Sequence, residues 1–273
     1  MTANQSYFNR SASRIIALLL PCLPLAFACG ADTGSGISVP SVVTVNLSAE
    51  ALLRQSGTSS EQAFKKEVLA TVTLMEYVVT ASDIDPVVAV EKVTAAEALF
   101  SNPMELTGIP TGEDRTLTVT GYTDPYIPLF TGSAENITIN QGKMTEVQLD
   151  LTFNPATLRL NFPTSDEMIS LLAFTWQGEL RLSDSAAKPL HLANGQTLPT
   201  QTLSLGEIVN GLLLESLQLT PDVTITACLR TENQELFLAG ALSALDLRPG
   251  YQLTASLPLI SYVLSADKPA YCQ

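Results

Sequence analysis

A single histidine, His191, serves 273 residues. A Ser-His-Asp or Cys-His relay therefore has no other imidazole to use, and His191 sits in the turn-rich stretch Lys188-Pro189-Leu190-His191-Leu192, where the expectation is an exposed loop. Zinc needs several Cys or His ligands, and the four cysteines do not supply them, because Cys22 and Cys29 lie near the N-terminus. Basic residues are scarce as well: 14 Lys and Arg face 27 Asp and Glu, for a net charge of −13. Phosphate contacts require clustered Lys and Arg, so nucleic acid is excluded as a partner. Only 15% of the residues are charged, yet 46% are hydrophobic, a composition that folds and does not stay disordered. Gly34 and Gly36 do not stand between a strand and a helix, so no phosphate loop is present, and no cofactor is expected.

The N-terminus has a different character. Arg10 and Arg14 precede the apolar run Ile15 to Leu20, broken by Pro21 and Pro24, with the small residues Ala26 and Ala28 beyond. This is the pattern of an export signal, and the run is too short for a spanning helix of about 20 apolar residues. The segment Leu25-Ala26-Phe27-Ala28-Cys29-Gly30 resembles the lipobox of bacterial lipoproteins, with Ala26 standing where Leu is usual. The resemblance implies cleavage before Cys29, acylation of its thiol and attachment to a membrane through acyl chains. Removal of residues 1–28 takes away Arg10, Arg14 and no acid, so the charge becomes −13 − 2 = −15. Residues 29–38 then read as a lipidated, Gly- and Ser-containing tether.

Export leaves Cys228 and Cys272 as one pair in the body of the chain. In an oxidising compartment the simplest expectation is a disulfide, with two separate thiols as the alternative.

The body repeats itself. From Met104–Leu151 to Leu212–Leu259 the offset is a constant 108, without a gap: Gly132 meets Gly240, Gly142 meets Gly250, Asp114 meets Asp222, Leu149 meets Leu257 and Leu151 meets Leu259. Apolar positions match too, as Ile109 with Leu217, Leu117 with Ile225 and Ile139 with Leu247. Within each copy they alternate with polar residues, the period of strands with one buried face. Ahead of each copy another alternating run begins, Val43-Thr44-Val45-Asn46-Leu47 in one case and Ala156 to Phe162 in the other, with Asn154-Pro155 as the boundary between two domains, 39–154 and 155–273. Ser59-Ser60-Glu61-Gln62 opens a candidate helix through Phe64, Val68 and Leu69, with strand as the alternative for its end, and Ser204-Leu205-Gly206-Glu207 opens a shorter one. Asp83-Ile84-Asp85-Pro86, Pro110 to Asp114 and Thr123 to Pro128 are expected turns.

Short strands separated by turns indicate an all-β fold of two tandem antiparallel β-sandwich domains. The runs Gly108 to Gly112, Leu117 to Tyr122, Leu129 to Gly132 and Ile137 to Gly142 resemble the immunoglobulin-like or prealbumin-like modules of bacterial surface lipoproteins. Such a resemblance implies a spacer, binding module or scaffold, and it informs fold more than function.

Few residues are candidates for chemistry. Asp83 with Asp85, and Glu113-Asp114 with Asp222, offer hard oxygen ligands for calcium, but without a full ligand spacing the expectation is solvated turn acids and no metal site. Gly132, Gly142, Gly240 and Gly250 are expected at positive-φ turns or bulges. Trp176 is expected in the core. No catalytic residue emerges; the site residues are Cys29 for lipid and Cys228 with Cys272 for the disulfide. The expectation is thus a lipid-anchored, noncatalytic binding or scaffold module of the bacterial cell envelope, whose partners are the membrane through its acyl anchor and an envelope protein or glycan. The alternative is an accessory subunit of a carbohydrate-active or other envelope hydrolase. Contacts are expected on loops, foremost in the variable stretches Glu50 to Phe100 and Ser165 to Asn210.

Overall fold

The computed structural model describes residues 41–48, 52–53, 59–94, 100–124, 126–163, 176–231, 236–263 and 269–272. The export signal, Cys29 and the tether lie outside them. Strand β1 (Val42–Ser48) is followed by helix α1 (Ser59–Ala70), then by β2 (Leu74–Ala81), β3 (Ile84–Lys92), β4 (Met104–Thr107), β5 (Gly112–Thr123), β6 (Ile127–Ile139), β7 (Met144–Asp150) and β8 (Thr152–Phe153). The second series is β9 (Ala156–Asn161), β10 (Trp176–Ser183), β11 (Gln201–Thr202), α2 (Leu205–Asn210), β12 (Leu212–Leu217), β13 (Thr220–Thr231), β14 (Leu236–Leu247), β15 (Gln252–Ser256) and β16 (Ile260–Val263).

These strands form two sandwiches with matching order. Sheet β4-β1-β7 faces β3-β2-β5-β6-β8 in the first, and β12-β9-β15 faces β11-β10-β13-β14-β16 in the second. The alternation read from the sequence sets which residues point inward: Val43, Val45, Tyr77, Val79, Leu117 and Val119 fill the first core, and Leu158, Leu160, Leu180, Leu182, Ile225 and Ala227 the second. Burying each large apolar side chain stabilises by roughly 1.5–3 kcal/mol, so both cores carry most of the favourable free energy. Pairing is antiparallel but for one parallel pair in each sandwich, β1 with β7 and β9 with β15, so the sandwiches are not purely antiparallel as expected.

The backbone repeats at the offset read from the sequence. Left-handed residues recur as Gly108 and Ser216, Asp114 and Asp222, Asn136 and Ala244, Gly142 and Gly250, each pair separated by 108. The β5–β6 register shifts between Gly112, Arg115 and Leu117, and the β13–β14 register shifts between Thr220, Val223 and Ile225. A non-glycine residue at positive φ is uncommon; four recurrences at one spacing, together with matching bulges, make the second copy a structural duplicate of the first. Upstream the spacing changes. Tyr77 lies opposite Val119 and Leu180 opposite Ala227, so β2 and β10 differ by 180 − 77 = 103. Val45 lies beside Val147 and Leu160 beside Ala255, so β1 and β9 differ by 160 − 45 = 115. The chain between the first two equivalent strands is therefore 115 − 103 = 12 residues longer in the first sandwich, where it holds α1.

Helix α1 buries Phe64, Lys65, Val68 and Leu69. Burial lowers the Lys65 pKa, opposed by the charge of Glu61. Helix α2 has the expected capping box, Ser204 and Glu207 each satisfying the other's backbone N–H.

Several turn expectations are corrected. Ile84 to Pro86 belong to β3, and Pro86 is tolerated because β3 is an edge strand that needs no donor on its outer side. Gly112, Glu113 and Asp114 belong to β5, where Asp114 is a left-handed bulge residue (φ 54°). The separate strands expected around Leu129 and Ile137 are one strand, β6, because the bulge at Asn136 bends it without ending it. Gly132 and Gly240 have no positive φ. A Cβ on Gly132 would stand 2.9 Å from the Asp150 carbonyl oxygen, and one on Gly240 would strike that of Pro258. They are glycine because the chain passes too closely for a side chain.

Where the sandwiches meet, contacts are specific. Arg248 bonds Glu67 of α1 at 2.7 Å and lies 5.4 Å from the Phe64 ring centroid. Leu219 of the second copy enters the first core. Among the described residues no helix is long and apolar enough to cross a membrane.

Candidate functional site

Inward residues of a strand make the core, so residues between them must face outward. On the five-stranded sheet of the second sandwich these are Glu179 and Arg181 of β10, and Thr226, Cys228 and Arg230 of β13. Register puts Glu179 opposite Cys228 and Arg181 opposite Thr226, while Phe237 of β14 lies opposite Arg230. Thr202 adds a hydroxyl from the edge strand β11. The 3-10 turn Ala270–Cys272 returns onto this face, joined to β13 by the disulfide between Cys228 and Cys272, with a Cα–Cα distance of 5.7 Å. The expected pairing is thus formed.

Between tail and sheet lies a cleft of about 530 Å³ lined by these residues and by Tyr271, with Gly178 in its floor. Gly178 admits no side chain, since a Cβ would stand 2.6 Å from the Cys228 carbonyl oxygen. Tyr271 is 39% exposed and Phe237 half-buried, so both offer ring surface. Arg181 and Glu179 pair at 2.7 Å with both side chains exposed, which makes the pair weak in stability terms and exchangeable with a ligand. Arg230 is exposed, and no ion pair to it occurs among the described residues. The cleft holds two guanidinium groups, one carboxylate, two threonine hydroxyls and two aromatic rings, a set suited to holding a polar molecule. It is not suited to hydrolysing a glycoside, which takes two carboxylates across the bond, and among its described lining residues only Glu179 is one.

The same face of the first sandwich is closed. Glu76, equivalent to Glu179, accepts a 2.9 Å hydrogen bond from the Tyr122 hydroxyl, and Tyr122 is equivalent to Arg230. Burial and the Glu76 carboxylate raise the Tyr122 pKa, which keeps the hydroxyl a donor. The Tyr126 ring packs edge-on against Tyr122, with centroids 6.4 Å apart.

Other expectations resolve separately. His191 is exposed, in a hollow of about 730 Å³ with Glu61, Lys65, Asp184 and Lys188, remote in sequence and lining from the cleft. Asp83 is engaged by Arg115, a side chain 1% exposed that also donates to the Thr111 carbonyl at 2.6 Å. Among the described residues no group of three or more His, Cys, Asp or Glu gathers as metal ligands would. Trp176 opens β10, but its side chain lies outside what is described. The cleft was missed from the sequence because loops were favoured over strand faces. Its signal was Arg181 and Arg230, two polar outward positions in a chain poor in cations.

No protein-family model and no curated relative matches the chain. Among solved structures it is similar to a candidate adhesin of Bacteroides thetaiotaomicron, at 10% identity, covering 72% of this chain and 78% of that one with a TM-score of 0.30. It is also similar to candidate polysaccharide-binding proteins (DUF1812) of the same species, at 12% identity, 71% and 77% coverage and a TM-score of 0.29. The major pilin of Streptococcus pyogenes, in a point-mutant form, follows at 10% identity, 82% and 99% coverage and a TM-score of 0.21. Such scores carry no functional argument, and the fold rests on the sheets themselves.

Proposed function

We propose that the chain is a noncatalytic binding or scaffold module of the bacterial cell envelope, lipid-anchored through Cys29 and built as two domains, 39–154 and 155–273. The observation that carries the binding reading is the cleft beneath the disulfide-bonded tail of the second sandwich. A covalent tie holds Tyr271 over a polar sheet face, so the cavity is organised before a ligand arrives and less ordering entropy is lost on binding. The lipobox-like segment supports the anchor, and the acidic body suits a protein held away from an anionic bilayer by its tether.

The full chain in detergent micelles, passed over immobilised envelope glycans, is expected to retain material without turning it over. Retention should fall in Arg230→Tyr. Turnover that disappears in Glu179→Gln would replace this reading with the hydrolase one. Palmitate labelling in cells is expected for the natural chain and absent from Cys29→Ala; persistent labelling refutes the anchor.

A further inference from the structure

Resting on the binding reading above, we infer that the cleft takes an acidic saccharide whose carboxylates meet Arg230 and Arg181, which the register sets four residues apart along the paired strands. Charge is the first argument. The whole chain stands at −13, yet the described charged groups of the cleft, Arg181, Arg230 and Glu179, sum to +2 − 1 = +1. This local excess of cation belongs to the second sandwich alone, because the equivalent positions in the first are Val78 and Tyr122. A planar guanidinium recognises a carboxylate through two parallel N–H donors, whereas a neutral sugar offers it only hydroxyls.

Shape and lining are the second argument. About 530 Å³ is within the size range of small-ligand sites and accommodates one or two sugar rings. Phe237 and Tyr271 supply ring faces for the C–H side of a pyranose, and Thr202 and Thr226 supply hydroxyls that both donate and accept. An acidic peptide would also satisfy the arginines. The two aromatic rings favour the sugar, whose C–H face they can cover, over the short carboxylate side chains of such a peptide. One ligand carboxylate would take Arg230 and another would compete with Glu179 for Arg181, an exchange made cheap by the exposure of that pair.

The test is calorimetric titration of the full chain in neutral-detergent micelles with trigalacturonate, with neutral galactotriose and with a tri-glutamate peptide. Trigalacturonate is expected to bind at least about tenfold more tightly than galactotriose, the size of a charge-assisted hydrogen bond, and more tightly than the peptide, which lacks ring faces for Phe237 and Tyr271. Arg230→Tyr and Arg181→Val, which install the residues of the first sandwich, should each weaken it about tenfold or more. Both sites are exposed, so thermal unfolding should match the natural chain. Equal binding of galactotriose with the same losses in the variants overturns the acidic-sugar inference but leaves the cleft as the binding site. Tighter binding of the peptide overturns it in favour of a protein partner. Binding of trigalacturonate that neither variant changes, or no binding at all, also overturns it. In those two cases retention of envelope glycans by the natural chain and its loss in Arg230→Tyr decide separately whether the cleft reading survives.

Discussion

Glu76 and Glu179 occupy the same place on the outer faces of the two sandwiches, and their surroundings separate a carboxylate bonded to a tyrosine from one that lines a cleft. Glu76 is held by the Tyr122 hydroxyl, and the Tyr126 ring packs edge-on against Tyr122. Glu179 meets an exposed arginine on the floor of a cleft. The strands beneath are duplicates down to their left-handed residues, so the difference lies in outward side chains and in a tail stapled to one copy alone. Duplication fixed the scaffold, while side chains that do not touch the core were free to diverge.

The staple should give the largest effect. Cys228 and Cys272 are separated by 44 residues, and closing such a loop stabilises by about 4 kcal/mol in the chain-entropy account. Cys272→Ser should therefore lower unfolding stability by about that amount in denaturant melts and weaken ligand binding in parallel, since Tyr271 loses its tether. A loss below about 1 kcal/mol would mean that the tail adds no constraint, and the contrast between the sandwiches would then reduce to side chains alone. Next come the close-approach glycines. Gly240→Ala should cost about 1–3 kcal/mol, because backbone at Pro258 blocks the methyl group. Gly132→Ala should cost somewhat less, since its closest contact, at 2.7 Å, is the tip of Leu151, which can turn aside, and its backbone obstacle, the Asp150 carbonyl at 2.9 Å, is farther off than that at Pro258. The reverse order would show that the two copies do not share their packing at this point. Smaller again is Tyr122→Phe, expected to cost about 1 kcal/mol or less for a half-exposed bond.

How much of this was legible follows from where information resides in the chain. The sandwich class, the offset of 108 and both helix openings were readable because period-2 burial and capping are local signals. The pairing of Cys228 with Cys272 was readable by elimination. Turn positions were harder: Pro86 and Asp114 look like breaks, yet an edge strand tolerates proline and a bulge absorbs an aspartate within an unbroken ladder. Gly132 and Gly240 were recognised as a matched pair for the wrong reason, since close approach depends on a strand end some eighteen residues away in sequence, at Asp150 and Pro258. The cleft was the least legible, because Arg181 and Arg230 share one face only through sheet register and Tyr271 joins them only through the disulfide.

Arg115 and Val223 are the last equivalent pair that differs, and they distinguish the sandwiches by pH. Both are buried at the same bulge, but Val223 needs no partner, whereas Arg115 engages Asp83 and the carbonyls of Pro110 and Thr111. The hydrogen bond from Arg115 holds the Asp83 carboxyl below its ordinary value near 4. A depressed folded-state pKa contributes stability that is present above the unfolded value and lost as pH falls through the folded one. Acid should therefore weaken the first sandwich through Asp83 below about pH 4, and no such pair stands at Val223 in the second. Asp83→Asn removes the titrating group, so the variant's stability should depend less on pH below about 4 than that of the natural chain. The effect is small because Asp83 is 63% exposed. Melts of both proteins between about pH 2 and 6 would measure it, and parallel acid limbs would show that Arg115 is held by the two carbonyls alone.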